Sequence, residues 1–117
     1  MEQEISLVTL NQAANAVTLD TIKLHSGSVG ADGTANQIVD AEAAATYAAA
    51  SDGVRDLSDT VNVPVPEGAT VSHFSVWEGA TFKYGNVLDS NPETFSNAGI
   101  AVIASAKVSF FNEVANE

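Results

Sequence analysis

Between Val63 and Tyr84 the chain reads VPVPEGATVSHFSVWEGATFKY, and this stretch limits the fold more than any other. Short alternations of apolar and polar residues are cut twice by turn residues, at Pro66-Glu67-Gly68 and at Glu78-Gly79-Ala80. A period of two puts alternate side chains on opposite faces of an extended strand. Gly and Pro punctuate such strands. The pattern predicts a meander of strands over 60–65, 69–77 and 81–88. In the first, Val61, Val63 and Val65 share one face. Pro64 takes the other, and its missing N–H suits an edge strand or a bulge.

The remaining chain fits the same plan. Residues 21–25 (TIKLH) alternate, with Ile22 and Leu24 on one face. Residues 100–111 alternate longest: Val102, Ala104, Ala106, Val108 and Phe110 on one face, Ile103, Ser105, Lys107 and Ser109 on the other. Gly, Asp, Asn and Ser mark loops over 26–34, 51–60 and 89–99. Two segments read both ways. In 10–19, Leu10, Ala13, Ala14 and Val17 recur at helical spacing with Asn11 as a candidate cap, against an extended alternative. In 41–50 (AEAAATYAAA) high helix propensity competes with an extended reading around Tyr47. Residues 1–9 form an N-terminal arm or edge strand, and 113–117 a polar tail. The whole predicts one domain over 1–117. It is mainly β: an antiparallel β-sandwich or small β-barrel with at most one or two short helices.

Charge excludes several partners. Fifteen Asp and Glu face four Lys and Arg, a net of −11. Nucleic-acid binding needs clustered cations to neutralise phosphates, and Lys23, Arg55, Lys83 and Lys107 are scattered. An anionic membrane surface repels such a chain. No basic stretch is followed by the apolar core of a secretory signal, and no apolar run is long enough to span a bilayer. Synthesis in the cytoplasm of a host cell is expected. With no Cys, disulfides and thiolate chemistry are absent.

Residues that could do chemistry are few. His25 and His73 lack a second His or Cys at the local spacing a zinc site requires, so a hydrogen-bonded structural role is expected for each. A serine nucleophile lacks its G-x-S-x-G elbow; Gly27-Ser28-Val29-Gly30 is one residue short. Asp52, Asp56 and Asp59 do not follow the alternate-position pattern of a calcium loop. Gly30 and Gly33 lack the helix and Lys of a phosphate loop. No catalytic residue, cofactor or metal is predicted. Trp77 and Phe82 are expected in the core. Tyr84 and Phe95 are candidate interface residues, because aromatic side chains are enriched at interface centres. Ile5, Leu7 and Val8 join them if the N-terminal segment adds a strand to a partner's edge.

The order of these features resembles a family of small virion structural proteins of tailed bacteriophages, described variously as head decoration, minor tail or tail-fibre proteins. The likeness runs from about Leu10 to Phe110. Its marks are LNQAANAV, a strand ending in LHSG, the loop GADGTANQI, Tyr47 among small residues, VPVPEGATVSHFSVWEGATFKYGNV, a loop with Pro92, Glu93 and Thr94, and a final alternating strand. Family members carry a longer Gly-rich turn after the Trp and a Thr-Ala-Asp-Pro-like run after the early His; here those places read EGATF and SGSVG. The resemblance implies a non-enzymatic capsid decoration (cement) protein on the outer surface of a phage head. Its partner would be the major capsid protein, and it would be a homo-oligomer, a trimer in the first instance. A small tail or tail-fibre component bound to tail proteins is the alternative, and a free carbohydrate-binding β-sandwich module a third reading.

Overall fold

A computed structural model describes residues 7–51, 53–88 and 92–109, with residues 7–10 described by their backbone alone. Helix α1 (Leu7–Asn15) is followed by β1 (Thr21–His25) and β2 (Gln37–Ala44). Next come β3 (Val54–Arg55), β4 (Val61–Val65), β5 (Thr70–Val71), β6 (His73–Glu78) and β7 (Thr81–Val87). The order closes with β8 (Glu93–Thr94), β9 (Gly99–Ile103) and β10 (Val108–Ser109).

Four strands form one antiparallel sheet in the order β2-β1-β6-β7. Three two-stranded ribbons, β4–β9, β3–β10 and β5–β8, make up the remainder. The inner face of the large sheet carries Ile22, Leu24, Phe74 and Val76, all buried. These pack in one cluster with Val61, Val63 and Val65 of β4 and Ala101 and Ile103 of β9. The architecture is a β-sandwich, not a closed barrel. Each fully buried large side chain contributes roughly 1.5–3 kcal/mol relative to exposure. At the β6–β7 hairpin, Glu78 pairs with Thr81. Gly79 between them has φ +55, the sign a type II′ turn needs at its first central position.

Five expectations are corrected or resolved. Leu7 and Val8 lie in α1 and not in an edge strand; residues 1–6, and with them Ile5, lie outside the described residues. Asn11 is not a cap: its Oδ1 accepts the Gly53 N–H at 2.7 Å, and Asn15 Oδ1 likewise accepts from Ala50 at 2.8 Å. A nine-residue helix is marginal alone, and these bonds dock α1 on the loop it leans against.

The Ala-rich segment is extended. Ala41, Ala43, Ala45 and Tyr47 all lie in or against the core, a period of two that the run Ala43-Ala44-Ala45 hides in the sequence. Tyr47 pairs with Leu57 and its hydroxyl donates to the Ala106 carbonyl at 2.8 Å.

The strand expected over 69–77 breaks at Ser72. Residues before it pair with β8 and those after it enter the large sheet.

The final alternation changes phase. Val102 is 66% exposed while Ala101 and Ile103 are buried, yet Ala106 and Val108 are buried further on. The Asp56 carboxylate causes the break. It accepts the Ser105 hydroxyl at 2.8 Å and the Ala106 N–H at 3.0 Å, drawing the chain out of the ladder between β9 and β10.

Candidate functional site

The outer face of the large sheet carries the side chains with most chemical potential. β1 and β6 pair Lys23 with Ser75 and His25 with His73. The two histidines, 48 residues apart in sequence, are therefore cross-strand neighbours, which local spacing could not reveal. Loop 26–36 folds over this face. Its own bonds hold it closed: Ser26 N–H to Asn36 O, Ala35 N–H to Val29 O, and Asn36 Nδ2–H to Ser28 O. Val29 is buried beneath it. Gly33, at φ +74, lies so close to the Phe82 ring that a Cβ there would overlap it.

Under the loop runs a chain of three hydrogen bonds. Nδ1 of His25 lies 2.8 Å from the Ala35 carbonyl. A carbonyl only accepts, so Nδ1 carries the proton and Nε2 of the neutral ring is an acceptor. The Ser75 hydroxyl donates to Nε2 at 2.7 Å, and Trp77 Nε1–H donates to the same hydroxyl oxygen at 2.7 Å. Every polar atom in the chain has a partner, as buried polar groups require. Burial pushes the His25 pKa below its ordinary value, and the nearby His73 and Lys23 add to that.

A serine hydroxyl donating to a histidine nitrogen is also the first contact of a nucleophile and its base. Here Ser75 and His25 are both 0% exposed, and the Trp77 N–H occupies the serine oxygen. The orienting group is a backbone carbonyl. A nucleophile must have room for a reacting carbon about 3 Å away, and this one is roofed by the loop. The arrangement stitches loop 26–36 and Trp77 to the sheet. No group of three or more His, Cys, Asp or Glu able to hold a metal ion occurs among the described residues. The loop containing Gly30 and Gly33 leads into β2, not into a helix.

Three of the four Lys and Arg side chains make contacts within the fold. The Arg55 guanidinium donates to four backbone carbonyls: Val17 at 2.7 Å, Ala48 at 2.9 Å, Ala14 at 3.2 Å and Tyr47 at 3.3 Å. Ala14 lies in the last turn of α1 and Val17 just beyond its end, where a cation complements the helix dipole. Lys23 lies 4.3 Å from the Trp77 ring centre and 3.7 Å from Glu42, and Lys83 lies 3.5 Å from Glu78. Asp20 and Asp56 both have lowered pKa values. Asp20 accepts from the Gly79 N–H and the Thr21 hydroxyl. For Asp56, bonds from Ser105, Ala106 and Leu57 outweigh an opposing desolvation.

Of the expected interface residues, Tyr84 and Phe95 are half-buried and pack against the core. Phe74 is the aromatic neighbour of Tyr84, with ring centres 6.3 Å apart. A bulge between β6 and β7 sets Val76 opposite Tyr84 and Trp77 opposite Phe82, so Tyr84 and Phe82 point to opposite faces. The side chains of Leu7 and Val8, like all of Ile5, lie outside the described residues. A groove of about 200 Å³ runs beside Phe74, Asn86, Val87 and residues 105–107; it is smaller than the roughly 300–1,000 Å³ of ordinary ligand pockets. Among the described residues, the most exposed large apolar side chains are Val39 at 72%, Val102 at 66%, Ile100 at 54% and Val87 at 53%. Ile100 and Val102 adjoin each other on the outer face of β9, opposite Pro64 and Asn62 of β4. Alternation across 100–111 sets Val102 on one face with Ala106 and Val108, which are buried, so the sequence does not single out this strip.

Comparison with known proteins finds no matching family model, no matching curated protein and no matching solved structure.

Proposed function

We propose that this protein is a non-enzymatic virion structural protein, a capsid decoration protein that binds the outer surface of a tailed-phage head as a small oligomer. The observation that carries this reading is the placement of its chemistry. The serine–histidine contact is sealed under a loop, while the surface offers an apolar strip on a strongly acidic protein. Such a molecule acts by binding. A protein that binds only the assembled shell stabilises that shell by mass action, and many copies of a modest contact sum to a large effect. The resemblance of its strand-and-turn order to small phage virion proteins supports the same reading, with the major capsid protein as partner.

The test is copy number. Virions are purified, their proteins separated, and this chain quantified against the major capsid protein. Hundreds of copies in simple ratio to the capsid protein support decoration of the head. A few to a few tens would move the protein to the tail, and absence from the particle would overturn a virion role.

A further inference from the structure

Loop 26–36 is bonded mainly to itself. Its ends meet where the Ser26 N–H donates to the Asn36 carbonyl at 2.9 Å. Within it, the Gly33 N–H bonds the Gly30 carbonyl, the Ala35 N–H the Val29 carbonyl, and the Asn36 side chain the Ser28 carbonyl. Among the described residues, one hydrogen bond ties it to the sheet, from His25 Nδ1 to the Ala35 carbonyl at 2.8 Å. Two packing contacts add to that tie. Val29 fills the space over Gly85, where a Cβ would overlap its side chain, and the Gly33 backbone lies on the Phe82 ring. Lifting the loop as a unit therefore breaks none of its own bonds, as in compact Ω-loops. Segments with so few ties open at low cost.

We propose that loop 26–36 is an acid-released strap: when His25 takes up a second proton, the loop lifts as a unit from the outer face of β6 and β7 while the sandwich beneath stays folded. The protonated ring keeps its bond to Ala35 but turns a second N–H toward Ser75. That hydroxyl oxygen already accepts from Trp77, and its own proton loses its acceptor. The new charge is fully buried, since His25 is 0% exposed, and a buried charge without a partner is costly. The groups around it do not offset that cost. Lys23 of β1 and His73 of β6 are cationic when protonated, and both oppose the change. On β2, Gln37 opposite His25 is neutral, Glu42 is paired with Lys23 at 3.7 Å, and Asp40 is exposed where the strand bulges. On β7, Val87 lies opposite His73 and Gly85 opposite Ser75, while Lys83 pairs with Glu78 of β6 at 3.5 Å. Asp32, the one ionisable residue of the loop, is exposed. Opening the strap is the shortest way to bring water to the ring.

Linkage sets the sign. A ring that binds its proton more tightly when hydrated favours the open form as pH falls. Below about pH 6.5, the ordinary His value, opening grows by up to about tenfold per pH unit until the closed form protonates as well. The inference stands apart from the virion assignment, because it concerns the isolated chain.

The chain has no Cys, so a single introduced thiol reports opening. Val29→Cys places one beneath the strap. Val63→Cys, at a site 0% exposed in β4, reports opening of the whole core. Each folded variant, verified by circular dichroism, is labelled with a dipyridyl disulfide at pH 7 and pH 5. Each rate is divided by that of the same variant unfolded in urea at the same pH. The expected ratio for Val29→Cys rises at least about tenfold from pH 7 to pH 5. It also exceeds the Val63→Cys ratio at least about tenfold at both, because local opening costs less than global. Adding His25→Gln to Val29→Cys removes the rise. Equal ratios at the two thiols, no rise at Val29→Cys, or a rise that survives His25→Gln would overturn the proposal. The first two comparisons keep the native His25, so they decide even where His25→Gln does not fold.

Discussion

The Ser75 hydroxyl donates to Nε2 of His25 across 2.7 Å, from the middle of β6 to the end of β1, with both side chains fully buried. Trp77 and the Ala35 carbonyl complete the chain on either side. Ser75 is thus the one atom group on which two other buried groups depend. Ser75→Ala leaves the Trp77 N–H and the His25 Nε2 without partners, at roughly 1–3 kcal/mol for each orphaned group. Urea unfolding should show that loss. It should also show faster hydrogen exchange across loop 26–36 than in the strands of the β4–β9 ribbon.

Protonation of His25 is expected to loosen the same loop. The protonated ring must donate from Nε2, and the Ser75 hydroxyl proton then loses its acceptor. The pKa is lower in the folded protein than its ordinary value of 6.5. The unfolded chain therefore binds more protons in the window between the two, and stability rises with pH there. The contribution is complete above about pH 6.5 and is lost as pH falls through the folded value. Unfolding free energy measured from pH 7 to pH 4.5 should fall, and the fall should be much shallower in His25→Phe. An equal slope in the variant would assign the effect elsewhere.

Asp56 acts in a lower window. Its folded pKa lies below the ordinary carboxylate value, so its contribution is complete above about pH 4 and is lost as pH falls further. Asp56→Asn keeps the size but loses the charge on the bonds to Ser105 and Ala106. A cost of roughly 1–2 kcal/mol at pH 7 follows from the greater strength of charge-assisted bonds, discounted for partial exposure. The difference from the parent protein should shrink as pH falls below 4.

Arg55 holds α1 to the sandwich without a carboxylate partner among its hydrogen bonds. Arg55→Met keeps much of the apolar stem and loses every donor, leaving the end of α1 uncapped. Helical signal in circular dichroism and protection of residues 7–15 should fall before the β-sheet is affected. Arg55→Lys should recover only part of the loss, because one ammonium cannot reach carbonyls spread along a planar fork.

Gly33→Ala tests how tightly the loop is roofed. The new methyl group meets the Phe82 ring, and φ +74 is strained for any residue with a Cβ. A loss of about 1–3 kcal/mol is expected, with the Trp77 fluorescence shifted because Phe82 packs edge-on against that ring, 5.4 Å between centres.

The strands Thr21–His25 and Val61–Val65 and the Gly79 hairpin could be read directly from the chain, because alternation and turn chemistry are local. Residues 41–47 could not be assigned, since alanine suits a helix and also the narrow space against the core. Long-range contacts chose the strand. The break after Ile103 was hidden for a related reason. Nothing near residue 105 marks it, and the carboxylate that captures the chain is 49 residues away. The sealed state of His25 and Ser75 was equally out of reach, as each is an ordinary strand residue until loop 26–36 closes over both. Periodicity reports the faces of a strand, whereas burial of the outer face, the pairing of His25 with His73 and the exposure of Val102 depend on which segments meet in space.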